Sequence, residues 1–175
     1  MEKQILNKQE IKSIVSRISR EIIKKNPQPT TVFIVGVKSR GDVLAKRIAE
    51  RIESLVGQKI ETAAIDITFY RDDVHLKAYK YVVKDEIQFD VTDKNIVLVD
   101  DVIFTGRSIR AAIDALIDSG RPRTIQLAVL IDRGGRELPI QPDYVGQKIK
   151  ANQNNQIQVK LKEIDGQDEV IISGK

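Results

Sequence analysis

The sequence predicts an α/β fold with a mostly parallel central sheet flanked by helices. Segments with helical periodicity alternate along the chain with short apolar segments, which is the pattern of a layered α/β domain. The segment "TTVFIVGV" is apolar throughout, as is typical of a strand covered on both faces. A chain of 175 residues is long enough to form one domain with its own core.

The first half of the chain supplies two helices and two strands. Residues 8–25 place isoleucines on one helical face, and "NPQP" ends that helix. "TTVFIVGV" is the first strand, and the second helix runs from Asp42 to near Gly57. "ETAAIDITFY" is the second strand. The polar residues 71–94 have no periodicity, and a connection of that length indicates a functional loop.

The second half continues the alternation. "NIVLV" is the third strand, the apolar spacing from Ile109 to Ile117 predicts the next helix, and Gly120 is expected at its C-cap. "TIQLAVLI" is the fourth strand, and "IQVKL" and "EVIIS" are short strands near the end of the chain.

Composition excludes several kinds of chemistry. The chain has no cysteine and one histidine, His75, which lies in a polar stretch, so thiol nucleophiles, cysteine zinc sites and HExxH sites are excluded. The N-terminus is polar and no apolar run reaches membrane-spanning length, which predicts a cytoplasmic protein. A net charge of +4 is compatible with a polyanionic partner.

The stretch "NIVLVDDVIFTGRSIRAAIDAL" concentrates the candidate chemistry at residues 95–116. Asp100 and Asp101 follow an apolar strand, and adjacent carboxylates must face water, a hydroxyl-rich ligand or a metal. The residues Thr105 to Ser108 open a helix with hydroxyls, a glycine and backbone N–H groups, which is the chemistry of a phosphate cradle. A phosphorylated ribose fits both halves of the motif.

Three other interpretations fit less well. "GVKSRGD" begins like a P-loop, but Asp42 and Val43 stand where lysine and serine or threonine must follow. A phospho-acceptor receiver domain carries its paired acids near the N-terminus and has no phosphate turn after them. An ordinary strand-to-helix connection explains one capping aspartate, but not two together with a phosphate turn.

"VLVDDVIFTGRS" resembles the phosphoribosyl pyrophosphate (PRPP) signature of type I phosphoribosyltransferases. "GVKSRG", "IDITFYRDD", "GRPRTIQLAVLIDRGGRELPI" and "DYVG" resemble the PyrR family, whose members are bifunctional pyrimidine-operon attenuators and uracil phosphoribosyltransferases. The resemblance spans nearly the whole chain and implies the type I phosphoribosyltransferase fold. It divides the single domain, residues 1–175, into a core of about 1–146 and a small C-terminal hood, about 147–175.

The resemblance implies that PRPP and uracil are converted to UMP and pyrophosphate with Mg²⁺ as cofactor. It assigns catalytic roles to Asp100, Asp101 and Arg40. Mg²⁺ is expected to bind through PRPP, and the only side chains considered as direct ligands are the two aspartates. The PRPP and nucleotide contacts that it implies are Lys38, Ser39, Arg40, Gly41, Val99, Asp100, Asp101, Val102, Ile103, Phe104, Thr105, Gly106, Arg107 and Ser108.

Two loops belong to this expectation. The resemblance makes residues 38–41 the pyrophosphate loop, although a solvated strand-to-helix turn capped by Asp42 explains them as well when they are taken alone. It makes Tyr70, Arg71, Asp72 and Asp73 the start of a flexible loop that closes over the site and excludes water. Arg71 is expected either to reach pyrophosphate or to remain solvated.

The resemblance also implies a regulatory partner, the pyr mRNA leader stem-loop, bound by a homodimer or higher homo-oligomer under the control of UMP or UTP. It places Arg17, Arg20, Arg136 and Lys148 on the RNA-binding surface, although helical spacing alone explains Arg17 and Arg20 as a solvated face. The family pattern "RGHRELPIR" appears here as "RGGRELPIQ", with Gly135 for histidine and Gln141 for arginine. RNA binding is therefore expected to survive, either weaker or with altered nucleotide control.

Two alternatives to this function stay open at the level of sequence. A salvage phosphoribosyltransferase for adenine, hypoxanthine or orotate would use the same PRPP motif without binding RNA. A regulator that binds PRPP or nucleotides without catalysis would also carry it.

Overall fold

A computed structural model describes residues 2–70, 89–152 and 154–174 of the chain, which form two sheets and four helices. The strands of the described part are β1 (Glu2–Asn7), β2 (Val32–Val37), β3 (Glu61–Ile65), β4 (Asn95–Ile103), β5 (Thr124–Asp132), β6 (Tyr144–Lys148), β7 (Asn155–Lys160) and β8 (Glu169–Gly174). The helices are α1 (Lys8–Lys25), α2 (Gly41–Val56), α3 (Arg107–Asp118) and α4 (Lys162–Asp165). None of these helices is long and apolar enough to span a bilayer.

The central sheet has the strand order β3-β2-β4-β5-β6, and every neighbouring pair is parallel. The predicted parallel α/β fold is therefore confirmed, with β6 as a strand that the sequence analysis did not predict. Helices α1 and α2 pack on one face, and α3 packs on the other. The interior strands are buried on both faces over most of their length, which explains the continuously apolar runs "VFIVGV" and "LAVLI".

Both ends of the chain form a second, small sheet. Its order is β1-β8-β7 with antiparallel pairing, and α4 lies between β7 and β8 in sequence. The predicted strands "IQVKL" and "EVIIS" belong to this sheet. The sequence analysis assigned no strand to residues 2–7, whose edge position leaves them exposed and without a regular apolar alternation.

Helix α1 occupies residues 8–25 as predicted, and a capping box fixes its start. The side chain of Asn7 accepts hydrogen bonds from the backbone N–H groups of Gln9 and Glu10 at 2.9 and 3.0 Å. The Glu10 carboxylate in turn accepts the N–H of Asn7 at 2.8 Å. Helix α3 ends one residue earlier than expected, since Ser119 rather than Gly120 is its C-cap.

Two glycines allow α2 to begin directly against the central sheet. A Cβ at Gly36 in β2 would lie 2.3 Å from Cα of Asp42, and a Cβ at Gly41 would lie 2.5 Å from the carbonyl oxygen of Val99 in β4. Real Cβ contacts are longer than this, so a side chain at either position would displace backbone. The start of α2 is therefore packed against the ends of β2 and β4.

The variant Gly36→Ala tests this close approach. The added methyl group meets backbone atoms that cannot rotate away, so we expect a loss of about 1–3 kcal/mol in the free energy of unfolding, measured with urea at constant m-value. Gly57→Ala is the comparison: its Cβ meets open space and only its φ of +70° opposes a side chain, which costs about 1 kcal/mol. Equal losses in the two variants would contradict the packing argument.

Candidate PRPP site

The strand order creates a crevice between β2 and β4. From β2 the chain continues to β3 on one side, whereas β4 lies on the other side of β2. Parallel sheets bind ligands at such a switch point, beyond the carboxyl ends of the strands. Residues 38–41 follow β2, and Asp100 and Asp101 lie near the end of β4, so the structure brings both sequence-predicted groups to one place.

Asp100 and Asp101 are adjacent residues inside β4, which extends to Ile103 rather than ending before the aspartates. Asp100 is only 7% exposed. Its carboxylate accepts the backbone N–H of Asp101 at 2.9 Å, and that of Asp101 accepts the N–H of Val102 at 2.7 Å. These bonds turn both carboxyl groups toward the carboxyl end of the strand.

Burial raises the pKa of Asp100 well above its ordinary value, and the charge of Asp101 raises it further. Burial also raises the pKa of Asp101, but the N–H of Val102 and the nearby charge of Arg40 oppose this rise. Asp100 therefore keeps a proton more readily than Asp101. Because two adjacent carboxylates resist double ionisation, the pair can offer a hydrogen-bond donor and acceptors side by side.

The residues 104–108 form the turn from β4 into α3. Gly106 is the N-cap of α3 with a φ of +92°, a conformation in which glycine carries no Cβ penalty. The hydroxyl of Thr105 accepts the N–H of Arg107 at 3.3 Å. The turn thus directs the start of α3 toward the crevice, where the helix dipole and the first N–H groups favour a phosphate.

We call residues 104–108 the phosphate turn. A loop after β5, which we call the buttress loop (residues 133–140), supports it. The carbonyl oxygen of Thr105 accepts the N–H groups of Glu137 and Leu138 at 2.9 and 3.2 Å. The guanidinium of Arg136 donates to the carbonyl oxygen of Phe104 at 2.9 Å and pairs with Asp132 at 2.8 Å. The side chain of Arg136 is only 12% exposed, so these contacts fix it against the phosphate turn.

Gly135 and Phe104 are matched in shape. A Cβ at Gly135 would lie 2.4 Å from Cε2 of Phe104, and the φ of Gly135 is +73°. The ring of Phe104 therefore fills the space that a side chain at position 135 would need. The guanidinium carbon of Arg133 lies 4.0 Å from the centroid of this ring, as in a cation–π pair.

The pyrophosphate-loop candidates lie in the turn between β2 and α2. Arg40 is the N-cap residue of α2, with a φ of +76°, and Asp42 lies in the first turn without capping it. The interpretation of this loop as a turn capped by Asp42 is therefore wrong. Lys38 and Ser39 are exposed beside the crevice, and Gly41 is buried where it meets β4.

A group of ion pairs that the sequence analysis missed joins α2 to α4. Arg40 donates to Asp165 from Nη2 at 2.9 Å and from Nε at 3.3 Å. Arg47 donates to Glu163 from Nε at 2.9 Å and to Asp168 from Nη2 at 2.7 Å. Two arginines seven residues apart share one face of a helix, but only the fold shows that the acidic segment 163–168 faces them.

The flexible-loop candidates lie mostly outside the described residues, since Arg71, Asp72 and Asp73 fall between 70 and 89. Tyr70 is described. Its hydroxyl donates to Asp118 in α3 at 3.0 Å, and burial, followed by Asp118, raises its pKa. This hydrogen bond attaches Tyr70, the last described residue before the proposed loop, to α3.

The RNA-binding candidates occupy different environments. Arg20 and Lys148 are exposed, and Arg20 donates to the hydroxyl of Ser16 at 3.0 Å. Arg17 lies against β6, where it donates to the carbonyl oxygens of Val145 and Gly146 at 3.0 and 2.6 Å. Arg136 lies in the buttress loop, at the phosphate turn.

Comparison with solved structures shows the fold. The chain superimposes on a hypoxanthine phosphoribosyltransferase from Staphylococcus aureus with a TM-score of 0.73 at 16% identity, covering 99% of this chain and 91% of the other. It superimposes on the hypoxanthine phosphoribosyltransferase of Trypanosoma cruzi with a TM-score of 0.74 at 14% identity, covering 98% and 96%.

Comparison of sequences shows the family. Residues 1–164 match the phosphoribosyl transferase domain family. The chain is 48% identical to the bifunctional protein PyrR of Halalkalibacterium halodurans over 178 aligned positions, covering 100% of this chain and 99% of the relative. It is 52% identical to the bifunctional protein PyrR of Leuconostoc citreum, covering 97% of each. The predicted resemblance is confirmed: the chain belongs to the PyrR family of type I phosphoribosyltransferases.

Proposed function

We propose that this phosphoribosyltransferase converts uracil and PRPP to UMP and pyrophosphate, and that it binds pyr mRNA in response to uridine nucleotides to control transcription attenuation. The observation that carries the catalytic half is the convergence of three groups at one crevice: the aspartate pair, the phosphate turn and the loop 38–41. Full-length similarity to proteins named bifunctional PyrR supports the regulatory half.

In the proposed complex each group binds one part of PRPP. The phosphate turn binds the 5′-phosphate, Asp100 and Asp101 accept hydrogen bonds from the ribose hydroxyls, and the loop 38–41 binds pyrophosphate. Departure of pyrophosphate leaves positive charge on the ribose. The buried carboxylate pair stabilises that charge, while Arg40 neutralises the leaving group.

Mg²⁺ fits this arrangement as an ion carried largely by its substrate. The crevice offers this ion the two carboxyl groups of Asp100 and Asp101, whose oxygen atoms are suitable ligands for Mg²⁺. When bound with PRPP, the ion would supply Lewis-acid stabilisation of pyrophosphate.

We place the base between the buttress loop and the start of the proposed hood, residues 147–175. These two segments are joined, since Arg133 donates from Nη2 to the carbonyl oxygen of Asn152 at 3.4 Å. Arg133 lies at this junction, and its Nε is buried without an acceptor among the described residues. A carbonyl oxygen of uracil is a suitable acceptor, because an unpaired buried donor costs free energy.

A direct assay distinguishes this proposal from its alternatives. The protein is incubated with PRPP, Mg²⁺ and one of uracil, adenine, hypoxanthine or orotate, and release of pyrophosphate is measured. We expect turnover with uracil. Turnover with another base instead would identify a salvage enzyme of different specificity, and PRPP binding without turnover would identify a non-catalytic regulator.

Replacing the paired aspartates tests the ribose contacts. Asp101→Asn should lower kcat/KM for PRPP about tenfold to a hundredfold, because a charge-assisted hydrogen bond is worth about 1.5–3 kcal/mol. Asp100→Asn should also lose activity but gain stability. Its wild-type carboxyl has a raised pKa in the folded protein, so wild-type stability falls as pH rises above the ordinary aspartate pKa.

The stability difference between Asp100→Asn and wild type should therefore increase from pH 5 to pH 8 in thermal unfolding. If the Asp101→Asn variant kept wild-type activity, Asp101 would not be a ribose-binding residue. A stability difference independent of pH would show that burial of a charge is not its cause.

Replacing Arg40 tests the pyrophosphate loop. Arg40→Ala should lower turnover about a hundredfold or more, by analogy with the loss of a donor to a developing anion. Arg51→Ala in the same helix is the control, since Arg51 donates to Ser16 and Ser54 and should retain activity. An unchanged turnover in Arg40→Ala, with only lower thermal stability, would reduce Arg40 to a structural residue.

Because the RNA-binding candidates make different contacts in the structure, replacing each one should have a different effect. Arg20→Ala removes an exposed cation without breaking a contact between elements, so it should weaken binding of the pyr leader RNA and flatten the salt dependence by about one unit. Arg136→Ala disturbs the phosphate turn as well, so its loss of RNA binding should be accompanied by a higher KM for PRPP.

Gel-shift titrations at two salt concentrations measure both effects. Lys59→Ala, which removes an exposed cation from the connection between α2 and β3, is the charge-matched control and should bind RNA like the wild type. If the wild-type protein binds the leader no better than an unrelated hairpin, the regulatory half of the proposal is wrong.

A further inference from the structure

The contact between Arg40 and Asp165 joins the pyrophosphate loop to the small sheet's helix. Both side chains are largely enclosed, with exposures of 26% and 19%. The two hydrogen bonds run from Nη2 and Nε of Arg40 to the two different oxygens of Asp165. A bidentate pair of this kind fixes the plane of the guanidinium as well as its distance.

Asp165 is itself held from behind. Its Oδ2 accepts the backbone N–H of Leu161 at 2.9 Å, across the single turn of α4. That hydrogen bond, followed by the contact with Arg40, lowers the pKa of Asp165. The carboxylate is therefore ionised at neutral pH and has a defined orientation when it meets Arg40.

The attachment of α4 to α2 does not depend on Asp165. Arg47, about two turns further along α2, donates to both Glu163 and Asp168. The side chain of Asp168 is only 8% exposed in this contact. These bonds anchor the acidic segment, so the pair at Arg40 is available for another role.

Arg40 has donors to spare on the side away from Asp165. A guanidinium carries five N–H donors, and among the described residues Arg40 donates to Asp165 alone, from Nε and Nη2. The charge of Arg40 also lowers the pKa of Asp101, so the guanidinium acts on the aspartate pair as well. Arg40 is also the N-cap of α2, directly before Gly41, which meets the end of β4 beside Asp100.

We propose that Asp165 is a positioning residue for the phosphoribosyl transfer reaction: it orients the Arg40 guanidinium so that its remaining donors meet the pyrophosphate group of PRPP. This proposal rests on the function proposed above, and it concerns how the leaving group is bound. It also links the small sheet to the leaving-group end of the site through one side chain, since Asp165 is the last residue of α4 and Arg40 is the N-cap of α2.

A double-mutant cycle tests the proposal. The variants are Asp165→Asn, Arg40→Ala and the double variant, each in the full chain. Asparagine keeps an oxygen for the N–H of Leu161 but loses the charge that holds Arg40. We expect Asp165→Asn to lower kcat about tenfold and to weaken binding of inorganic pyrophosphate severalfold by calorimetry, because a misplaced binding group loses much of its effect. The KM for uracil should not change.

In the Arg40→Ala background, Asp165→Asn should cause no further loss, since its target is gone. Glu163→Gln is the matched control: it weakens a neighbouring ion pair between α4 and Arg47, so it should lower thermal stability without changing pyrophosphate affinity. The conservative variant Asp165→Glu should recover part of the activity.

Two results would overturn the proposal. Equal losses from Asp165→Asn with and without Arg40 would show that Asp165 acts on the fold. Tighter pyrophosphate binding or faster turnover in Asp165→Asn would show that Asp165 competes with the leaving group for Arg40. Because the calorimetric arm needs no base, it tests Asp165 even if uracil proves not to be the substrate.

Discussion

The close approach of α2 to the ends of β2 and β4 is the constraint on which the site depends. Without side chains at Gly36 and Gly41, the start of the helix meets the backbone of both strands. This places the loop 38–41 beside Asp100 and Asp101, which are separated from it by almost sixty residues of sequence. A parallel sheet with a switch point offers the crevice, but the two glycines determine how narrowly its two walls approach each other.

The candidate site combines a pair of acidic side chains on one wall of the crevice with an arginine on the other. Asp100 is buried and the adjacent Asp101 is half-buried, and removal from water raises both pKa values and makes their ionisation unfavourable before a ligand binds. Arg40 on the facing wall offsets part of that cost and is itself held by Asp165. A substrate that carries both hydroxyls and pyrophosphate would pair with the aspartates and with Arg40 at once. A ligand with only one of these groups would leave either the aspartates or Arg40 without a partner.

The buttress loop connects the two proposed activities physically. Its Glu137 and Leu138 N–H groups and its Arg136 side chain hold the carbonyl oxygens of the phosphate turn. Arg136 is also a residue that family resemblance places in RNA binding. A change in the phosphate turn on nucleotide binding would therefore act directly on the loop that carries Arg136, which is a short route for coupling between ligand and RNA.

The sequence by itself determined the local features of this protein: the apolar periodicity, the parallel strands, the PRPP motif and the family. These follow from residues that are neighbours in the chain, so Asp100, Asp101 and Thr105 to Ser108 could be recognised in one stretch. The tertiary structure alone decided that β1 pairs with β8, that Arg136 supports Phe104 and that Asp165 holds Arg40. Each of these contacts joins residues far apart in sequence. A local sequence pattern does not specify which distant residue will pair with a strand edge or with a charged side chain.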